Sequence, residues 1–394
     1  MYNMKGAYFI LLSALFIAFL SITLIKYSHI AFLGNSYHDP ITQISTNFLL
    51  GIFDIDTYHH HHHQKPQVQS VCDDFLPPDF SPSGGENGST IICVDRNGCC
   101  NFTTVRSAID AVGTLQQKRT IIWINKGIYF EKITVPRIKP NITLLGQGME
   151  RTAIVWNDTA NSSHGTFYSA SVSVFASNFI ATNISFMNVA PIANPGDVGG
   201  QAVAFRIAGD QAAFWGCGFF SGQDTLHDDR GRHYFKDCFI QGSIDFIFGN
   251  GRNFYKNCQL NSVANPVPSG AKLITGAISA QARSTRDENT GFSFVNCSIG
   301  GRGRTWLGRA WRPFSTVIFA YTFMSEIISP DGWNDWNDPS RDQTIFYGEY
   351  QCSGSGANTT SRVSYVHILN DSQAAPFLNI SYIDGQQWLQ PFTN

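Results

Sequence analysis

The chain has 394 residues, a formal net charge of −2, and a composition that is 43% hydrophobic and 14% charged. This composition is too apolar for a disordered protein, and a nearly neutral charge does not suggest a nucleic-acid binder. The length allows two average domains or one repetitive domain of about 250 to 320 residues.

An almost wholly apolar segment follows Lys5 and runs from residue 7 to residue 25. A positive residue before such a run is typical of a signal peptide or an uncleaved membrane anchor, and about 19 residues just suffice to span a bilayer. We therefore predict a signal or anchor in residues 1–25. Residues 26–70 are predicted as a linker, in which the five histidines His59–His63 are interpreted as a solvated spacer.

Residues 71–394 are predicted to form one β-rich domain. Short β-branched and aromatic runs such as "TIIWINKGIYFEKITV" alternate with Gly, Asn and Pro. The segment "NFTTVRSAIDAV" is the one convincing amphipathic helix, beginning near Thr103 or Thr104. We expect this helix to cap one end of the domain.

A repeat with a period of about 20 residues follows the helix. Its template is an aromatic residue, two further residues and a cysteine; Phe214, Phe235, Tyr255 and Phe294 begin the copies. Ile180-x-x-Asn183 is interpreted as an earlier copy with Asn in the place of Cys. One strand motif per period predicts a parallel β-helix. A leucine-rich repeat fold is disfavoured because the regular leucines that it needs are missing. A β-sandwich is disfavoured because it would show no long sequence period.

Two aspartates occupy the same place in successive repeats. Asp224 and Asp245 each follow a template cysteine by seven residues, and Asn265 holds that place in the next repeat. Stacked coils lie about 4.8 Å apart, so the two carboxyl groups are expected to be neighbours. Neighbouring carboxyls do not both ionise readily, and such a pair suits a nucleophile and a proton donor in acyl transfer. Stacked turn-capping residues are the alternative.

Three further side chains are candidates for the same site. Gln223 offers a neutral amide donor to an oxyanion. Arg309 and Trp311, two residues apart in "LGRAWRPF", lie on one face if that segment is a strand, where Arg would hold an aspartate charged and Trp would stack on a sugar. A surface Arg and a packed Trp remain the alternative interpretation.

The sequence also carries marks of an exported protein. About ten Asn-x-Ser/Thr sequons and nine cysteines occur, and the odd cysteine total leaves at least one without an intrachain partner. We therefore expect a secreted glycoprotein with some disulfide bonds.

Five motifs in order make the chain similar to the plant pectin methylesterases: "GIYFEKI", "QAVAFR", "GQDTL", "GSIDFIFGN" and "LGRAWRPF". The resemblance covers roughly residues 75–390 and implies a right-handed parallel β-helix without metal or organic cofactor. It implies that Asp245 is the nucleophile on a galacturonate methyl ester and Asp224 the general acid and base. It further implies oxyanion contacts from Gln201 and Gln223, with Arg309 orienting Asp245, and substrate contacts from Thr166, Gln201, Arg309, Trp311, Phe246 and Trp333.

The chain departs from the family pattern at several points. Ala310 stands where Pro is frequent, and His227 replaces a frequent Tyr, which predicts a different charge beside the acids. The segment before residue 71 is too short for the inhibitor-like helical pro-domain of many plant members, so we expect a branch without one. The family pattern favours a disulfide between Cys238 and Cys258, although spacing alone makes Cys217 with Cys238 equally available.

The leading hypothesis is therefore a monomeric wall esterase acting on methyl-esterified homogalacturonan, with a proteinaceous pectinesterase inhibitor as a further partner. Two alternatives remain at this stage. One is another β-helix pectinase, a polygalacturonase or a pectate lyase, because paired carboxylates also serve glycoside hydrolysis. The other is a non-catalytic, wall-binding solenoid in which the acids only stack.

Overall fold

The computed structural model describes residues 89–193, 196–268 and 272–389, all within one compact unit that spans residues 61–394. The predicted signal or anchor (1–25) and linker (26–70) lie outside the described residues. Within the described ranges, no helix is both long enough and apolar enough to cross a membrane.

Three parallel sheets form the fold, and each coil of the chain adds one strand to sheet 1, then one to sheet 3, then one to sheet 2. Sheet 1 contains Thr90–Val94, Thr120–Ile124, Ile142–Leu145, Ile180–Thr182, Ala212–Trp215, Arg232–Lys236, Arg252–Lys256, Gly291–Val295, Thr316–Ala320, Phe346–Tyr350 and Val366–Ile368. Sheet 2 contains Ile133–Val135, Val172–Val174, Phe205–Ile207, Leu226–Asp228, Ile247–Gly249, Gly276–Gln281, Thr305–Ala310 and Trp333–Asn334. Sheet 3 contains Gly127–Phe130, Thr152–Trp156, Ser185–Asn188, Gly218–Phe220, Phe239–Gly242, Gln259–Val263, Ser298–Arg302 and Phe323–Met324.

This architecture is a right-handed parallel β-helix, which confirms the fold predicted from the repeat. The aromatic positions of the template stack inside it on successive coils. Phe214 lies 4.6 Å from Phe235, which lies 4.6 Å from Tyr255, and Tyr255 lies 4.5 Å from Phe294, measured between ring centroids. The column is fully buried, so each repeat contributes one large apolar side chain to a continuous core.

Two details of the predicted repeat are wrong. Sheet 1 pairs Phe214 with Ala181 and sheet 3 pairs Gly218 with Ser185, so Ile184 rather than Asn183 lies opposite Cys217. Sheet 2 pairs Ile247 with Ser279, which places Ala277 rather than Asn265 opposite Asp245. The connection from Val263 to Gly276 is longer than the connection from Gly242 to Ile247 on the preceding coil, and a fixed period cannot anticipate such an insertion.

The structure also contradicts the favoured disulfide. Cys217, Cys238 and Cys258 are free, buried thiols on successive coils, and Cys93 is bonded to Cys100 instead. In-register parallel strands point equivalent side chains in the same direction, whereas a disulfide needs Cβ atoms that converge. Cys238 Sγ instead donates to Phe214 O of the preceding coil at 3.6 Å, and Cys258 Sγ donates to Phe235 O at 3.7 Å. Cys217 Sγ donates to Trp215 O of its own coil at 3.5 Å.

A short helix, α1 (Val105–Ala111), begins at the N-cap Thr104 and buries Val105, Ala108 and Ile109, as the sequence predicted. Glu131 of the "GIYFEKI" motif accepts hydrogen bonds from the first two helical N–H groups, both at 2.9 Å. Lys139 Nζ donates to carbonyl oxygens at the other end. Both ends of α1 are thus satisfied by side chains of neighbouring coils.

The remaining helices are short. A second α-helix, α2 (Asp371–Ala374), has Asn370 as its N-cap with a capping box to Gln373. The 3₁₀ helices are Thr166–Tyr168, Pro339–Gln343, Ser355–Ala357, Ala375–Phe377, Ile380–Ile383 and Gly385–Gln387. Only Thr166–Tyr168 borders the site described next.

Candidate active site

Asp224 and Asp245 lie on adjacent coils, immediately before two paired strands of sheet 2. Leu226 pairs with Ile247, and backbone hydrogen bonds from Asp224 N to Ile244 O (3.0 Å) and from Leu226 N to Phe246 O (2.8 Å) extend the pairing to the two aspartates. The side chains are therefore one strand spacing apart. The predicted adjacency of the two acids is present in the structure.

Arg309 binds one member of the pair and not the other. Its Nε donates to Oδ1 of Asp245 at 2.8 Å, and its Nη2 donates to Oδ2. Such a two-pronged contact fixes the orientation of the carboxyl group and gives strong, charge-assisted hydrogen bonds. Burial lowers the pKa of the Arg309 guanidinium, but the ion pair with Asp245 outweighs this effect, and Asp224 adds to the contribution of Asp245. The net result is a pKa above the usual value.

Asp224 lies beside that ion pair without a cation of its own. Burial raises the pKa of the Asp224 carboxyl well above its usual value, and the negative charge of Asp245 raises it further, while Arg309 opposes the shift. The pair thus consists of one carboxyl group bound by Arg309 and a second that keeps its proton to a higher pH than an ordinary aspartic acid. This asymmetry provides an attacking anion and a proton donor at one place.

Both acids open into a cavity of about 440 Å³ on the outer face of sheet 2. The amide side chains of Gln201 and Gln223 line it, as do Thr166 and Trp311. Amide N–H groups beside a carboxylate pair are suited to hold an oxyanion without adding charge. A second cavity of about 270 Å³ shares Gln223 and Arg309 with the first, so a cleft continues on both sides of the acids.

The loop that carries Thr166 is fastened to the β-helix by buried hydrogen bonds. Asn188 Nδ2 donates to Asp158 O (2.8 Å), Ser169 O (3.2 Å) and Val203 O (3.0 Å), joining both ends of the loop to the chain next to Gln201. Lys132 Nζ also pairs with Asp158 and donates to Tyr168 O. The loop that carries Thr166 and the amide side chain of Gln201 are therefore held in a fixed position relative to each other.

Two predicted substrate contacts are not in the cleft. Phe246 is fully buried in the core, and Trp333 is 1% exposed. Trp333 stacks on Tyr347 at 4.2 Å, and its Nε1 donates to Glu349. Strand alternation explains Trp333, because it pairs with Gly308 on the inward row whereas the outward row contains Arg309 and Asn334. Phe246 lies at the corner before the strand Ile247–Gly249, where the chain turns, and both Phe246 and Ile247 face the core.

The cleft aromatics that sequence reasoning missed are near neighbours of those two residues. Phe248 and Trp336 line the cavity, together with Phe167 and Tyr168. Trp336 also lies against Arg309, with the guanidinium carbon 4.2 Å from the ring centroid. Alternation along the strand Ile247–Gly249 would have selected Phe248, because its neighbour Ile247 faces the core. The turn that presents Trp336 has no such periodic signal.

His227 does not add charge to the cleft, which corrects that expectation. The ring is 2% exposed, and burial lowers its pKa to about 3, with a partial opposing effect from Asp229. The imidazole is therefore neutral in the range where the carboxyl groups work. Among the residues that the structure describes, no group of three or more His, Cys, Asp or Glu side chains is arranged to hold a metal ion.

Comparison with known proteins gives a consistent result. The family model for Pectinesterase matches residues 91–386. The chain is 63% identical over 321 residues to a probable pectinesterase 8 of Arabidopsis thaliana, which covers 82% of this chain and 81% of the relative. It is 52% identical over 299 residues to a putative pectinesterase 14 of the same plant, covering 76% of this chain and 88% of that relative.

Solved structures agree with the sequence comparison. A pectin methylesterase from carrot superposes with a TM-score of 0.71 at 32% identity, over 77% of this chain and 97% of that structure. The pectin methylesterase of Aspergillus niger gives a TM-score of 0.65 at 27% identity, over 78% of this chain and 96% of the other.

Proposed function

The chain belongs to the pectinesterase family, and from this premise we propose how its cleft hydrolyses the methyl esters of pectin. The protein is a carboxylic ester hydrolase, and its reaction converts pectin and water to pectate and methanol. The observation that carries the mechanism is the asymmetry of the acid pair, in which Arg309 binds Asp245 alone and Asp224 retains a raised pKa.

In the first half-reaction, an oxygen of the Asp245 carboxylate attacks the carbonyl carbon of a galacturonate methyl ester. The carbonyl oxygen becomes an oxyanion, which the amides of Gln201 and Gln223 stabilise. When this intermediate collapses, the bond to the methoxy oxygen breaks and the Asp224 proton moves to that oxygen, releasing methanol. An anhydride between Asp245 and the sugar carboxyl remains.

In the second half-reaction, Asp224 is ionised and accepts a proton from water as the water attacks the sugar carbonyl of the anhydride. Collapse of the second intermediate breaks the bond to Asp245 and returns its carboxylate to Arg309. The sugar leaves as a free carboxyl product, and Asp224 holds its proton again. Each acid has returned to its starting state, so no external reactant besides water is needed.

The decisive experiment incubates the purified protein with highly methyl-esterified pectin and follows methanol, new reducing ends and unsaturated products. We expect methanol alone. Asp245→Asn is expected to lower the rate of methanol release by at least about 10³-fold, because an amide neither attacks nor pairs with Arg309. Asp237→Asn is the matched control, since Asp237 also has a positive φ of 54° but lies on an exposed corner outside the cleft.

Reducing ends or unsaturated products without methanol would instead support a polygalacturonase or a lyase, and binding without products would support a wall-binding solenoid. Turnover retained in folded Asp245→Asn would refute the nucleophile assignment. Loss of turnover on adding EDTA would point to a lyase-like cation requirement.

Enzymes of this family act on pectin in the plant cell wall. We propose that the chain reaches it by secretion, on the strength of the apolar segment and the sequons in its sequence. We further propose that it acts as a monomer and that a proteinaceous pectinesterase inhibitor is a partner. The mass of the protein recovered from the wall, alone and mixed with such an inhibitor, tests these proposals.

A further inference from the structure

A column of stacked groups runs along the outer face of sheet 2 away from the acid pair. His227 lies between two phenylalanines: its ring centroid is 4.4 Å from that of Phe248 at an interplanar angle of 6°, and 4.6 Å from that of Phe167 at 18°. Two parallel rings at these distances must cover opposite faces of the imidazole. The guanidinium of Arg206 lies 5.1 Å from the centroid of Phe167 and extends the column.

The two phenylalanines reach the column from different parts of the fold. Phe248 belongs to the strand Ile247–Gly249, whereas Phe167 belongs to the loop that carries Thr166 and is itself 41% exposed. Both rings line the cavity that contains Asp224 and Asp245. His227 is therefore the ring through which the loop packs on the sheet at the cleft.

The imidazole contributes a ring face here rather than an acid–base function. Its Nδ1 has no hydrogen-bond partner among the described residues, and its Nε2 is 4.0 Å from Asp229 Oδ1, too far for a hydrogen bond. Asp229 is occupied by Arg206, whose Nη2 donates to it at 2.7 Å, and it also faces Arg230. The charges next to His227 thus pair with one another, and the three stacked rings of Phe167, His227 and Phe248 carry no charge themselves.

We propose that His227 is a positioning residue that holds Phe167 and Phe248 as one rigid, uncharged wall for a methyl-esterified sugar unit beside the unit being hydrolysed. This inference rests on the proposed function. The wall suits an esterified unit because a sugar ring and its methyl ester bury apolar surface against aromatic faces, whereas a carboxylate there would lose its hydration without gaining a free cation.

The test compares kcat and KM of wild type, His227→Ala, His227→Phe and Phe167→Ala on pectins of high and low methyl esterification. For highly esterified pectin, we expect His227→Ala to raise KM about two- to tenfold with kcat within about twofold, which is the range of one aromatic stacking contact. The rise on low-ester pectin should be smaller. His227→Phe should restore KM, and its pH profile should overlay that of wild type.

Phe167→Ala keeps the inference testable if His227→Ala folds poorly, because Phe167 is partly exposed and its removal leaves the core intact. It should raise KM like His227→Ala, and the double variant should be no worse than either single variant. His367→Ala is the matched control, since His367 also packs on a phenylalanine, Phe346, at 4.9 Å but lies outside the cleft.

Four results would overturn the inference: an unchanged KM in His227→Ala, equal KM rises on both pectins, a His227→Phe variant as impaired as His227→Ala, or an altered pH profile in His227→Phe. Failure of the proposed function is separate, because it would appear as absent methanol release by the wild-type protein.

Discussion

At the scale of single residues, two identical side chains acquire different chemistry from their neighbours. Asp245 receives a fork of two guanidinium hydrogen bonds, whereas Asp224 receives none from Arg309 and is surrounded by protein and a neighbouring negative charge. Exchanging the two environments would exchange the roles, because the carboxyl groups themselves are equivalent. The assignment of nucleophile and acid therefore depends on the position of Arg309.

The raised pKa of Asp224 makes a prediction about stability. The pKa of Asp224 in the folded protein lies above its value of about 4 in the unfolded chain. At a pH between these two pKa values, the unfolded chain has lost a proton that the folded chain keeps. Wild-type stability falls as pH rises through this window, and Asp224→Asn, which cannot ionise, escapes the loss. The variant should thus have a higher Tm than wild type at pH 7, by about 2–4 °C for each kcal/mol of unfolding free energy that it gains. At pH 4 the Tm difference between the two proteins should be smaller.

Differential scanning calorimetry at both pH values measures this difference, and Asp237→Asn, on an exposed corner, serves as the comparison. The same Asp224→Asn sample should release methanol poorly despite its higher Tm. A Tm difference between wild type and Asp224→Asn that does not depend on pH would contradict the assigned shift.

At the scale of elements, left-handed corners shape the coil. Six of the eight strands of sheet 3 are preceded, two positions earlier, by a residue with a φ between 51° and 56°: Asn183, Gly216, Asp237, Asn257, Asn296 and Tyr321. Asp224 and Asp245 also have positive φ values, 64° and 49°, at the corner before sheet 2. Asp and Asn tolerate this conformation better than most residues. The acid pair therefore occupies a corner that the fold already bends sharply.

The strand that follows Asp245 depends on a glycine. Gly249 has a φ of 133°, and a Cβ there would lie 2.1 Å from Asp228 O. Gly249→Ala should therefore destabilise the protein by at least about 2 kcal/mol, through backbone strain and a contact that no side-chain rotation relieves. Urea denaturation followed by tryptophan fluorescence measures the loss.

Gly300→Ala is the control for that experiment, because the space around Gly300 is empty within 4 Å and its φ lies outside the left-handed region. Equal denaturation midpoints for the two alanine variants would show that the close approach of Gly249 to Asp228 is absent in solution.

At the scale of the whole molecule, the stacking of successive coils builds both the hydrophobic core and the candidate active site from a weak sequence repeat. In-register coils bring Phe214, Phe235, Tyr255 and Phe294 into one internal column, and they place Arg309 beside Asp245 from 64 residues away in sequence. Stability in such a solenoid comes from neighbouring coils, so each local contact supports the next. The cleft lies on the outer face of that stack, where side chains vary without disturbing the core.

The stack also predicts the chemical state of the cysteines. Cys217, Cys238, Cys258 and Cys297 are free and buried, so these four thiols should not react with a water-soluble disulfide reagent in the native protein. All four should react once the chain is unfolded in denaturant. Alkylation followed by peptide mapping without reductant gives the count, with Cys93–Cys100 as the internal reference for a bonded pair. A Cys238–Cys258 crosslink in the peptide map would contradict the structure.

The sequence alone determined the repeat, the β-helix and the adjacency of Asp224 and Asp245, because a period of about 20 residues fixes which positions stack. It also identified α1 through its capping residue and apolar spacing, and the ordered motifs indicated the family. These are properties of local pattern and of sequence order, which are readable without coordinates.

Only the tertiary structure decided which side chains face the cleft and which covalent state the cysteines adopt. Phe246 and Trp333 turned inward while Phe248 and Trp336 turned outward, because orientation follows from strand pairing and turn conformation rather than from distance to a motif. The thiols stayed unpaired because in-register neighbours point the same way. The neutrality of His227 likewise arises from two rings that cover it, one of which comes from a loop 60 residues earlier in the chain.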